Sequence, residues 1–105
     1  MEPAIDDKVK FYSKRLQQKL GNNLKDLILF GSRARGDFRE GSDYDFIIIV
    51  STKDKKVCDE VTDIAVEFLN KYDEINANIV YDINEWKRQQ TFPLGMNVQR
   101  EGIHI

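Results

Sequence analysis

Two carboxylates, Asp43 and Asp45, stand two residues apart at the head of an apolar run, Phe46-Ile47-Ile48-Ile49-Val50. Side chains alternate along a strand, so Asp43 and Asp45 share one face, about 6.6 Å apart at a rise of about 3.3 Å per residue, and Tyr44 points the other way. Two like charges so placed repel unless a cation lies between them. Hard oxygen ligands suit Mg²⁺, which takes one or two carboxylates together with waters and substrate phosphates. Ten residues separate Asp43 from Ser32, and Gly31-Ser32 itself follows an earlier apolar run, Leu27-Ile28-Leu29-Phe30. Glycine there lets the backbone approach a ligand closely, and a helix starting at Ser32 would aim free N–H groups and a hydroxyl at phosphate. One end of the stretch can hold phosphate, and the other can hold the metal that bridges it. Either half alone is commonplace: Gly31 serves as a turn residue, and Asp43 and Asp45 as solvated charges. The joint pattern, with Arg33, Arg35 and Gly36 inside the gap, points to nucleotide binding.

The elements that must position these residues are legible as periodicities. Ile5, Val9, Tyr12, Leu16 and Leu20 recur at steps of three and four, which predicts an amphipathic helix over 4–20, stopped by Gly21. Short apolar runs bounded by polar residues and glycine predict strands over 24–30 and 44–50, joined by a short helix and a polar loop through Glu40-Gly41. Ser51 or Thr52 is the expected cap of a next helix, whose apolar face holds Val57, Val61, Ile64, Ala65, Phe68 and Leu69. A third strand is expected over 75–81, then a helix from Asp82 carrying Trp86, and a last short helix over 94–100 after Pro93, ended by Gly102. This alternation reads as one α/β unit of three layers or fewer.

Composition narrows the function classes. The 105 residues suit a single domain spanning 1–105, and a formal charge of −2 provides no global basic field for nucleic acid. No apolar run approaches the ~20 residues of a membrane helix, and no signal-peptide core follows Met1-Glu2-Pro3, so a cytoplasmic protein is expected. Cys58 is the only cysteine and reads as a small buried or half-buried residue rather than a nucleophile, and one Cys with one His makes no structural zinc site. Lys53-Asp54-Lys55-Lys56 reads as a solvated face.

Gly31-Ser32, ten residues, then Asp43-Tyr44-Asp45 resembles the signature of the DNA polymerase β-like nucleotidyltransferase superfamily. Gly31-Ser32-Arg33-Ala34-Arg35-Gly36, Ser42-Asp43 and the ending Trp86 to Ile103, with Asn97-Val98-Gln99-Arg100-Glu101-Gly102-Ile103, resemble its minimal prokaryotic branch, the MNT-type proteins. The resemblance implies an α/β (α+β) fold, a small mixed β-sheet with helices on one face. It implies transfer of a nucleoside monophosphate from ATP or another NTP to a protein or small-molecule acceptor, with Mg²⁺ as cofactor. Asp43 and Asp45 would then be the catalytic metal ligands, Gly31 and Ser32 would hold the triphosphate, and Arg33 and Arg35 would lie where cations meet phosphate. A helical HEPN-type partner, with the pair forming a toxin–antitoxin system, is also implied; an oligomer is left open. One departure stands out: alignment puts Asn78 where active members carry a third carboxylate. An amide cannot act as a base. Asp73 and Glu74 could compensate only with a shifted strand, and Asp82 lies at the far end. The alternative is therefore a weak or silent nucleotide-binding member that acts by binding its partner.

Overall fold

The structure is a computed structural model that describes residues 5–39 and 42–105. The start of the expected first helix at position 4, and Glu40-Gly41 of the loop, lie outside the described residues. Helix α1 spans Asp7–Leu20, capped by the Asp6 carboxylate, which accepts from the Val9 N–H, and stopped at Gly21 with φ 54°. A 3₁₀ turn leads to strand β1, Leu24–Phe30. The one-turn helix α2, Ser32–Arg35, follows Gly31 and ends at Gly36 in the left-handed region. Strand β2 is Tyr44–Val50, helix α3 is Lys55–Tyr72 and strand β3 is Asn76–Asp82. Helices α4, Ile83–Gln89, and α5, Pro93–Glu101, lead to a two-residue strand β4, Ile103–His104.

The strands form a mixed sheet in the order β3-β2-β1-β4. β1 runs antiparallel to β2 and to β4, while β2 and β3 are parallel. A parallel pair needs a crossover, and α3 supplies it. Its cap is Asp54, whose carboxylate accepts from the Val57 N–H, not Ser51 or Thr52 as expected. Asn23 engages Thr52 through two hydrogen bonds to its backbone, tying the turn before β1 to the end of β2.

The two long helices share one face of the sheet. Tyr12 and Leu16 of α1 and Val61, Ile64 and Phe68 of α3 pack on Leu27, Leu29, Tyr44, Phe46, Ile48 and Val50. The Tyr12 and Phe46 rings stack at 4.5 Å between centroids, and Phe68 meets Tyr12 and Tyr44 edge-on. Each fully buried side chain of this size contributes about 1.5–3 kcal/mol by leaving water. The expectation of helices on one face holds for α1 and α3. The α4–α5 pair packs on the other face, where Trp86 and Val98 cover Ile28, Ile47 and Ile49. Strand β2 is therefore apolar on both sides for most of its length, which explains its unbroken isoleucine run.

Candidate active site

Asp45 stands at the start of β2, short of the isoleucines that α4 and α5 cover. Opposite residues of neighbouring strands share a face, so the register places Phe30 on one side of Asp45 and Ala77 on the other. Gly31 then turns the chain with φ 74°. A Cβ at this position would stand 2.5 Å from Asp45 Oδ2. Glycine is thus required twice, for its left-handed backbone and for the close approach of the carboxylate. The N–H groups of Ala34 and Arg35 both bond the Gly31 carbonyl, so the N–H groups of Ser32 and Arg33 are the ones a helix start leaves without helical partners. The phosphate-type turn and the carboxylate pair expected from the sequence are brought together.

The electrostatics fit a cation. Burial first, and then the charge of Asp43, push the Asp45 carboxyl above its ordinary range; Arg35 pulls the other way. Asp43 is exposed beside it. Two carboxylate-bearing residues on one face, one of them partly desolvated, form a donor set that suits a hard divalent ion. Among the described residues, no group of three or more His, Cys, Asp or Glu side chains could hold a metal.

The third strand corrects one expectation. Asn78 pairs with Phe46, not Asp45, and so faces the long helices. Its amide oxygen accepts from the Tyr12 hydroxyl, its nitrogen donates to Asn76 Oδ1, and Asn76 donates to the Ala65 carbonyl. The residue beside Asp45 is Ala77. Glu74 does not compensate, because it accepts from Lys8 at 2.9 Å and Arg33 at 3.4 Å on the Tyr44 side. Asp73 caps α3 in the left-handed region at φ 55°.

The two arginines of the motif part company. Arg33 is buried, with its guanidinium 4.2 Å from the Phe38 ring centroid and 4.3 Å from that of Tyr44. It donates twice to the Ser42 carbonyl, at 3.0 and 3.3 Å. These contacts place Arg33 against the helix-side face and make it a clamp that fixes the chain just before Asp43. Arg35 instead lies on the carboxylate side, where it pairs with Asp37 at 3.2 Å and with Glu101 of α5 at 3.4 Å. Neither the clamp nor Glu101 was foreseen from the sequence. The only sequence hint was that Arg33 lies close to two aromatic residues, Phe38 and Tyr44.

The profile of the nucleotidyltransferase domain family matches residues 9–90. This chain belongs to that family. A Methanocaldococcus jannaschii protein, provisionally named a protein adenylyltransferase, is 35% identical over 94 residues, which cover 90% of either chain. The fold is similar to a crystallised toxin–antitoxin chain with AMP-PNP, at TM-score 0.65 and 18% identity over 94% of this chain and 72% of that one. A Sulfolobus solfataricus structure, provisionally described as a nucleotidyltransferase, superposes at TM-score 0.53 and 20% identity, over 99% and 86% of the respective chains. The MNT-type resemblance and the mixed-sheet fold agree with these relatives. No helix of the described residues is long and apolar enough to cross a membrane.

Proposed function

We propose that this protein is a Mg²⁺-dependent nucleotidyltransferase that takes a nucleoside monophosphate from ATP to a hydroxyl on a protein or small-molecule acceptor. The observation that carries this reading is the juxtaposition at Gly31, whose missing Cβ lets Asp45 stand against the turn. Asp43 and Asp45 would hold the cation, which when bound neutralises phosphate charge. Ser32 and the backbone N–H groups after Gly31 meet the triphosphate, and Arg35 can swing from Glu101 to it. Arg33 positions Asp43 through Ser42. The acceptor oxygen forms a bond to the α-phosphorus as the bond to the pyrophosphate oxygen breaks, and the hydroxyl proton leaves to water. Ala77 cannot receive that proton, so the protein works mainly by position and charge. The relative named as a protein adenylyltransferase supports a protein acceptor, and the toxin–antitoxin likeness supports a helical partner of the HEPN type, with this chain as antitoxin. A cytoplasmic location fits such a pair.

Ala77 also favours a second reading, a weak or silent nucleotide-binding protein that acts through its partner. Incubation with α-labelled ATP, Mg²⁺ and cell extract separates the two. Transfer of label that is lost in Asp43→Asn and Asp45→Asn, with their cooperative melts kept, is the result expected of the enzyme. A rise in Tm with Mg²⁺ and ATP but no transfer selects the silent reading. No Tm shift and no calorimetric heat at millimolar ligand would leave neither standing.

A further inference from the structure

Of the large apolar side chains exposed among the described residues, Val66, Leu69 and Ile75 cluster at one place. They border a groove between α3 and β3, a strand that has β2 on one side only. One part of the groove is a recess of about 180 Å³ lined by Thr62, Ala65, Val66 and Leu69 of α3 and by Ile75 and Asn76. It runs on past Thr62 and Ala65 to Cys58 and the middle of β3. The walls are fixed. The Asn76 amide donates to the Ala65 carbonyl at 3.1 Å, and the Ile75 carbonyl accepts from the Tyr44 N–H at 3.0 Å. A projecting side chain, Ile75, thus stands beside a hole on one rigid surface. The groove belongs to the long-helix side of the sheet, opposite the face of Asp45.

We infer that this groove is where a second copy of the chain docks, α3 against α3, about a two-fold axis. The charge pattern of α3 selects that occupant. Lys55 begins the helix and Asp73 caps it, eighteen positions apart, which is five turns at about 3.6 residues each. The two therefore lie on one face, and the groove residues Thr62, Val66 and Leu69 lie between them without a charge. Position 64 is the midpoint, with Thr62 and Val66 equally far on either side. A half-turn about an axis through that midpoint reverses the second helix. Lys55 of each copy then meets Asp73 of the other, Thr62 meets Val66, and Ile75 of each copy is brought toward the other's groove. The patch is its own complement, as a two-fold interface requires. Lys55 is held in the single chain only by an exposed contact to Asp59 at 2.8 Å, which it can exchange. Exposed ion pairs fix orientation more than they add affinity, and the apolar groove supplies the attraction. A stripe about 27 Å long on one helix stays at the small end of interface sizes, below about 1,200 Å² in total, so a reversible dimer with a micromolar Kd is expected.

Analytical ultracentrifugation of the full chain, without nucleotide or metal, from about 1 µM to about 1 mM, tests the pairing. The mass should rise from monomer to dimer and stop there, because a two-fold contact closes. Val66→Glu and Leu69→Glu, both at exposed helix positions, should weaken the dimer at least about ten-fold while dilute samples melt as wild type does. Lys55→Glu sets an acid against Asp73 of the other copy and should weaken it about three-fold or more. That loss should shrink at about 0.5 M salt, whereas the losses from Val66→Glu and Leu69→Glu should remain. A wild type that stays monomeric at 1 mM overturns the inference and leaves the groove to a different protein. Growth beyond the dimer, or a dimer that all three variants keep at full strength, overturns it as well.

Discussion

The two faces of strand β2 receive opposite treatment from one stretch of sequence. Tyr44, Phe46, Ile48 and Val50 lie under two long helices, and the Tyr44 hydroxyl donates to Asp6, the cap of α1, at 2.7 Å. Among the described residues no buried side-chain polar atom lacks a partner. Asp45, Ile47 and Ile49 lie on the other face, where two short helices cover the isoleucines and leave the carboxylate open. The difference shows how a small domain can keep a repulsive charge pair. The long-helix face carries the stability, so the short-helix face can spend its open end on a site whose charges repel.

The largest effect that sharpens this contrast is expected at β3. Ala77→Asp should restore a carboxylate beside Asp45 and raise transfer by about 10²–10⁴ if a general base was missing. Asn78→Asp, one residue away on the other face, should leave transfer unchanged and lower Tm, because a charge replaces a half-buried amide bonded to Tyr12 and Asn76. Label-transfer rates and melts of both variants check the register directly. A gain in Asn78→Asp alone would reverse the assignment of faces.

Phe46→Ala should cost about 3–5 kcal/mol in denaturant unfolding, from lost burial and the cavity left beside Tyr12 and Tyr44. The next step down is Gly31→Ala. It combines a left-handed backbone with a Cβ placed against Asp45, so a loss of about 1–2 kcal/mol is expected together with weaker ATP binding. If Gly31→Ala melts and binds as wild type, the turn does not hold the carboxylate as described.

The smallest effect is a gain. Asp45 has a raised folded-state pKa, so the fold holds its proton more tightly than the unfolded chain does. That contribution is present below the ordinary carboxylate pKa of about 3.9 and is lost as pH rises through the raised value. With chelator present, Asp45→Asn should therefore melt like wild type in acid and slightly higher at neutral pH. Added Mg²⁺ should reverse the neutral-pH order by stabilising wild type alone.

The strands, the Gly31 turn and the two carboxylates were legible because local signals set them: apolar runs, a glycine and a two-residue spacing. The third strand was legible as a strand but not in register. Asn76-Ala77-Asn78 offers a small residue between two amides, and nothing local tells which set faces inward. The decision is made by the Tyr12 hydroxyl, 66 positions from Asn78. Arg33 shows the same limit. An arginine in a glycine-rich turn reads as a phosphate ligand until Phe38 and Tyr44 are seen to sandwich it. Helices α4 and α5 were expected, but nothing local in their sequence tells which face of the sheet they cover. A two-residue strand such as β4 has no periodicity to read.

The hydrogen-bonded chain from Tyr12 through Asn78 and Asn76 to Ala65 also bears on how the molecule reaches its fold. β3 docks in parallel across a long crossover, the kind of non-local pairing that forms slowly. A strand that docked one residue out of step would send both amides toward the carboxylates and place Ala77 under the helices. Tyr12, buried in the core, would then face no acceptor. A buried hydroxyl left so costs about 1–3 kcal/mol. The native register is thus favoured over its neighbour, and the amides on the helix side hold Ala77 beside Asp45 on the other side of the sheet.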